Sequence, residues 1–201
     1  MIEAATAGVP VAWLIARASG LVAFGLLTLA VWLGLAMSTR LLASRRQKTL
    51  LGWHQTLLWT GLGMVTLHGI ALLLDPTLHF GFLAVLVPGT APWRPLAVAA
   101  GVVTAWLMLT LALSFHVRRR IGQRQWRLLH YAGFAGFACG LGHLLTVGTD
   151  VRGTTGLLVA ALAGGPVLWL AFARILILRI PPRPAPPPAA RPSANVPRVA
   201  A

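Results

Sequence analysis

Apolar residues run along this chain in five blocks, at about 11–37, 50–74, 96–117, 128–148 and 156–178, and nearly all charges fall between them. A spanning helix needs roughly 20 predominantly apolar residues, because each residue rises about 1.5 Å against a hydrocarbon core of about 30 Å. Every block meets that length, so the pattern predicts an all-α integral membrane bundle of five transmembrane helices. A shorter apolar run over 80–87 is too short to span and predicts an interfacial or re-entrant piece in the loop between the second and third spans. The first block has no basic segment before it and exceeds the roughly 7–15 residues of a signal-peptide core, so it is expected to stay as a helix.

Composition agrees with that pattern. Hydrophobic residues make up 57% of 201, charged residues 10%, and the mean hydropathy is +0.78. A net charge of +14 would suit a nucleic-acid partner, but the cations follow the spans instead. Arg40, Arg45, Arg46 and Lys48 fill the first connection, and Arg118, Arg119, Arg120, Arg124 and Arg127 fill the third. Arg179, Arg183, Arg191 and Arg198 follow the last span, while the second and fourth connections hold only Arg94 and Arg152. The positive-inside rule therefore predicts an outside N-terminus and a cytoplasmic C-terminus, in a multi-pass cell-membrane protein such as one of a bacterial inner membrane. Residues 1–178 form the expected membrane unit. The Pro-, Ala- and Arg-rich stretch 179–201 has almost nothing to bury and is expected to be a disordered cytoplasmic tail.

Polar side chains inside a membrane are costly, so imidazoles there are functional candidates. The second block holds His54 and His68, fourteen apart, and the fourth holds His130 and His143, thirteen apart. Both blocks run in the same direction across the membrane, which sets His54 level with His130 and His68 level with His143. The two levels lie about 20 Å apart at about 1.5 Å per residue. Two neutral imidazoles facing each other across a helix pair are a ligand set for a six-coordinate haem iron; interhelical hydrogen bonding or a proton path is the other use of such residues. Helical phase is less kind to the second pair. Thirteen residues fall about 140° short of whole turns, so the fourth span must bend or rotate to present both rings to one side. Gly61 and Gly63, and Gly133, Gly136, Gly140 and Gly142, permit close approach of a flat macrocycle or of another helix. Cys139 is the only cysteine and there is no C-x-x-C-H, so any haem would be held non-covalently.

These residues resemble a known family, the ferric reductase-like transmembrane domains. It includes the membrane parts of NADPH oxidases, iron and copper reductases, and the haem-binding membrane subunit of the bacterial methionine sulfoxide reductase system. The resemblance covers about residues 11–178. It rests on Arg17-Ala-Ser-Gly20-Leu, Trp53-His54, Leu67-His68-Gly69, Trp126-Arg127-Leu-Leu-His130-Tyr131, and His143 followed by Gly148-Thr149-Asp150. It implies two b-type haems, inner and outer, with iron ligands at His54, His68, His130 and His143. It further implies an electron path from a cytoplasmic donor to an acceptor across the membrane. The chain shows no Gly-rich strand-turn-helix segment for a dinucleotide, so the donor is expected to be another molecule.

Haem propionates are anionic and should meet cations at the membrane surfaces. The candidates are Lys48, Arg46, Arg124 and Arg127 on the cytoplasmic side and Arg94 and Arg152 outside. Arg17, inside the first span near its outer end, is expected to face the bundle near the outer haem. Asp75 and Asp150, which end the two His-bearing spans, read as solvated caps. His79 reads as a loop residue, His116 as a headgroup contact, and Cys139 as packing. Trp53, Trp93 and Trp126 fit an aromatic belt, and Trp53 and Trp126 are placed to wall the inner haem.

The expected function is transmembrane electron transfer through two haems. The expected donor is a cytoplasmic flavoprotein reductase or a membrane quinol. The expected acceptor is extracytoplasmic: ferric iron, another metal, oxygen or a redox partner. Two alternatives stay open. One is a haem-free transporter or proton-relay protein using the histidines as titrating groups, and the other is a haem-binding subunit that takes no part in electron flow.

Overall fold

In the computed structural model, residues 11–39 and 46–179 are described, with side chains to residue 176. The helices are α1 Val11–Ser38, α2 Gln47–Leu74, α3 Phe82–Leu86, α4 Pro95–Ile121, α5 Gln123–His130, α6 Ala132–Val147 and α7 Gly153–Arg179, and the described residues contain no strand. Five spans are long and apolar enough to cross a membrane: α1, α2, α4, α5 joined with α6, and α7. Arg40, Arg45, Arg183, Arg191, Arg198 and the expected disordered tail lie outside the described residues.

Two helix pairs make the bundle. α1 packs along α2 and also touches α6 and α7, while α4 packs along α6. Small residues bring the second pair close. A Cβ at Gly136 would stand 2.6 Å from Met108 Cε and one at Gly140 would stand 3.2 Å from Thr104 Cγ2. The Thr104 hydroxyl donates to the Gly136 carbonyl at 3.0 Å. Gly61 approaches Leu26 and Gly133 approaches Leu111, whereas nothing lies within 4 Å of a Cβ at Gly63 or Gly142. Gly61, Gly133, Gly136 and Gly140 thus serve helix contacts. The outward faces carry large exposed apolar side chains, Leu96, Leu157 and Leu168 among them. An apolar exterior of this kind suits lipid rather than water.

Local chemistry explains where the elements stop. α4 begins with Pro95, whose missing N–H costs nothing in a first turn, and ends at Gly122, whose φ of 86° suits a residue without Cβ. Arg118, Arg119 and Arg120 occupy its last turn, against the negative end of the helix dipole. α5 and α6 are separated at Tyr131, whose N–H is shared between Arg127 O at 3.3 Å and Leu128 O at 3.1 Å. This tightened turn falls between His130 and His143, the pair whose thirteen-residue spacing does not suit one regular helix. α7 continues through Pro166, and beside it Trp32 Nε1–H donates to Ala163 O at 3.1 Å. The apolar run over 80–87 contains α3, and Phe80 and Ala84 are buried with Ala91, Val98 and Val102 against the start of α4.

Candidate functional site

The four intramembrane histidines meet in two pairs. The rings of His54 and His130 are 6.2 Å apart between centroids and tilted by 57°; those of His68 and His143 are 6.4 Å apart and nearly perpendicular, at 86°. Each level thus takes one imidazole from α2 and one from the α5–α6 span.

Three of the four rings are seated in the same way. His68 Nδ1–H donates to Ala16 O at 2.6 Å, His54 Nδ1–H to Ala30 O at 2.8 Å, and His143 Nδ1–H to Ala97 O at 2.8 Å. A carbonyl only accepts, so these bonds place the proton on Nδ1 and leave the lone pair on Nε2. Four residues after each carbonyl comes a glycine: Gly20, Gly34 and Gly101. A Cβ there would stand 2.9 Å from His68 Nδ1, 3.2 Å from His54 Cε1 and 2.7 Å from His143 Nδ1 respectively. The carbonyl holds the ring and the missing Cβ makes room for it. On α1 the two seats are fourteen residues apart, as are the histidines they hold on antiparallel α2. Of these glycines only Gly20 stands in the motifs quoted above; the Ala-x-x-x-Gly spacing at 16–20, 30–34 and 97–101 recurs elsewhere in the chain and does not by itself mark Gly34 or Gly101.

His130 is held differently. It makes no hydrogen bond to a protein group among the described residues, and it stacks on Trp126 with centroids 5.0 Å apart and planes 28° apart. Trp53, expected beside the same ring, is 60% exposed and is not among the residues lining the cleft.

The His68–His143 pair lines a cavity of about 350 Å³, mostly apolar, that reaches from Arg17, Trp93 and Asp150 to Leu58 and Met108. The His54–His130 pair lines a cleft of about 680 Å³ with Gly34, Trp59, Phe115 and Trp126. Both volumes lie in the range of about 300–1,000 Å³ usual for cofactor and ligand sites. His116, expected at the headgroups, is exposed and also lines this cleft, with its ring 6.4 Å from that of Trp59. His79 is an exposed loop residue with Nδ1 3.2 Å from Thr77 O.

Arg17 faces the bundle. Its Nε donates to Asp150 Oδ2 at 2.9 Å, Nη2 pairs with Oδ1, and the guanidinium lies 4.0 Å from the Trp13 ring centroid. Asp150 is therefore an ion-pair partner at the edge of the cavity, not a free solvated cap. Asp75 is not solvated either. It is buried, and Oδ1 accepts the N–H of Thr77 at 2.7 Å and its hydroxyl. The Thr77 hydroxyl bond holds the Asp75 carboxyl below the usual range, outweighing the burial that pushes it up. Arg94 donates to Thr146 O and lies 5.0 Å from the Trp93 ring, tying the start of α4 to the end of α6. Arg46, Lys48, Arg124, Arg127 and Arg152 are exposed, and no side-chain hydrogen bond joins them to the site. Arg174, unremarked in the sequence, donates to the Tyr131 hydroxyl at 3.0 Å next to His130. The half-buried Cys139 is a free thiol.

Chemically, each level offers two opposed imidazoles and no third ligand: the described residues contain no group of three or more His, Cys, Asp or Glu able to hold a metal ion. A metal–imidazole bond of about 2.0 Å, plus about 1.1 Å from the nitrogen to the ring centroid on each side, separates two trans imidazoles by about 6 Å. The two observed separations match that distance. The chain matches no protein-family model, no curated protein and no solved structure.

Proposed function

We propose that the protein is a transmembrane electron-transfer protein that holds two b-type haems, one between His54 and His130 and one between His68 and His143. The observation that carries this reading is the pairing of four intramembrane imidazoles in two levels at 6.2 and 6.4 Å, the separation of two axial ligands. The three Nδ1–H···O=C bonds support it, because a metal-ligating histidine almost always donates its other N–H to a carbonyl, carboxylate or water. Bound haem would supply reversible one-electron chemistry, with potentials set by the axial ligands, their hydrogen bonds and burial. The chain's own task is to fix the imidazoles and their tautomer, to line the His68–His143 level with apolar side chains, and to set the Arg17 cation at its edge.

In this reading the basic end of the bundle, with Arg118 to Arg120, Arg124 and Arg127, is cytoplasmic. The donor is a cytoplasmic flavoprotein reductase or a membrane quinol, and the acceptor lies on the opposite side, as in the ferric reductase-like domains that the sequence resembles. A proton relay is less well supported. It needs imidazoles that exchange partners, and three of these four donate to backbone carbonyls that neither release nor take up protons.

The test is haem content. Purified protein should show a reduced-minus-oxidised b-type spectrum and about two haems per chain by pyridine haemochrome. His68→Ala and His130→Ala should each remove one. A colourless wild type after expression with added haem would sink the reading and favour the proton relay.

A further inference from the structure

The seats repeat at fourteen residues along α1, and α4 carries one of them at Ala97 and Gly101. Fourteen residues further along α4 stand Leu111 and Phe115. A fourth seat, for His130, is absent there: a large side chain occupies the glycine position, and the Leu111 carbonyl accepts the hydroxyl of buried Ser114 at 2.8 Å. Ser114 passes the connection on. Its oxygen accepts Trp126 Nε1–H at 3.2 Å, and the indole stacks on His130 at an inclination of 28°. Phe115 meets the same indole obliquely, at 6.3 Å between centroids and 68° between planes.

We infer that Trp126, anchored through Ser114 to the α4 backbone, is the positioning residue for the fourth imidazole, in place of the carbonyl-and-glycine seat that holds the other three. The chain needs this device because His130 is the last residue of α5, before the turn at Tyr131, and its partner helix offers no gap for the ring. An indole fixed at its N–H restricts the plane of a ring stacked on it, but it supplies no carbonyl to Nδ1. His130 is therefore restrained in plane while its second nitrogen makes no hydrogen bond to a protein group among the described residues.

The inference rests on the haem reading above, and its test separates the two. Full-length protein loaded with haem is compared as wild type, Trp126→Leu, Trp126→Phe and Ser114→Ala, by haem stoichiometry, redox titration and low-temperature EPR. The signal lost in His130→Ala identifies the level concerned. Trp126→Leu should weaken haem retention at His54–His130 about tenfold, the lower end of the effect of outer partners on metal affinity, while the His68–His143 signal and potential stay as in wild type. Trp126→Phe and Ser114→Ala cut the same link, so each should shift the His54–His130 signal and the double variant should shift it no further. A two-haem wild type whose His54–His130 signal, potential and retention are unmoved in Trp126→Leu would overturn the inference. So would equal loss of both haems in Ser114→Ala, which would make the link a general part of the fold. A haem-free wild type would instead mark the failure of the haem reading itself.

Discussion

The two ends of the bundle carry the same pair of side chains in different mountings. At the His68–His143 end both imidazoles donate to carbonyls, each lies over a glycine, and the Arg17–Asp150 pair stands beside an apolar cavity of about 350 Å³. At the His54–His130 end one ring is seated and the other leans on Trp126, beside a helix break and a cleft of about 680 Å³. Backbone carbonyls are fixed by their helices, whereas a stacked indole is only as fixed as its own anchor. The first site is thus built into the main chain of two helices, α1 and α4. The second depends on a side-chain chain of contacts, Ser114 to Trp126 to His130. The difference teaches that a ligand pair is specified as much by what backs each imidazole as by the imidazole.

Substituting the seats is the strongest way to break the comparison. Gly101→Ala would place a Cβ 2.7 Å from His143 Nδ1, closer than real Cβ atoms come, so the ring must leave its carbonyl. Haem titration should show about 10–100-fold weaker binding at that level alone, the usual cost of losing an outer partner. Gly34→Ala meets His54 Cε1 at 3.2 Å, where a few tenths of an ångström suffice. Its loss should be several-fold smaller than that of Gly101→Ala and confined to the His54–His130 level; equal losses would deny the seats their role.

No substitution is needed for the next distinction. Imidazole planes near a right angle leave the two iron orbitals that point between ligands almost degenerate, which widens the spread of g values. If haem is bound as proposed, the 86° pair should therefore give the more anisotropic low-spin EPR signal and the 57° pair the more rhombic one, assigned through the histidine variants. The smallest effect concerns the loop after α2. The carboxyl of Asp75 is depressed in the folded protein, so its contribution is present above the usual carboxylate pKa and is lost as pH falls through the depressed value. Thr77→Val should cost on the order of 1 kcal/mol at neutral pH in chemical unfolding, and the gap to wild type should close in acid.

The sequence disclosed the parts that follow from length and depth. Five apolar blocks became five spans, and the two histidine spacings placed the rings at two heights because both helices rise equally per residue. The poor phase of His130 and His143 called for a departure from one regular helix, and the α5–α6 junction at Tyr131 lies between them without a proline or glycine at that position. What stayed hidden depends on which helix lies beside which. Arg17 and Asp150 are 133 residues apart, and nothing local announces their pairing. Asp75 looked solvated because it ends a span, yet the turn through Thr77 folds it inward. The seats could not be picked out in advance: Ala-x-x-x-Gly stands eight times in the sequence, and the three that seat a ring are distinguished only once α1 and α4 are laid against the histidines.

The most direct test of the central claim is electron passage across a sealed membrane. Haem-loaded protein is placed in liposomes with ferricyanide trapped inside and a membrane-impermeant reductant outside, beside protein-free vesicles and vesicles carrying His68→Ala. Bleaching of the trapped ferricyanide with wild type only is the predicted result. Intact vesicles whose two-haem protein leaves the ferricyanide oxidised would contradict the account and make this a haem-binding subunit that carries no current.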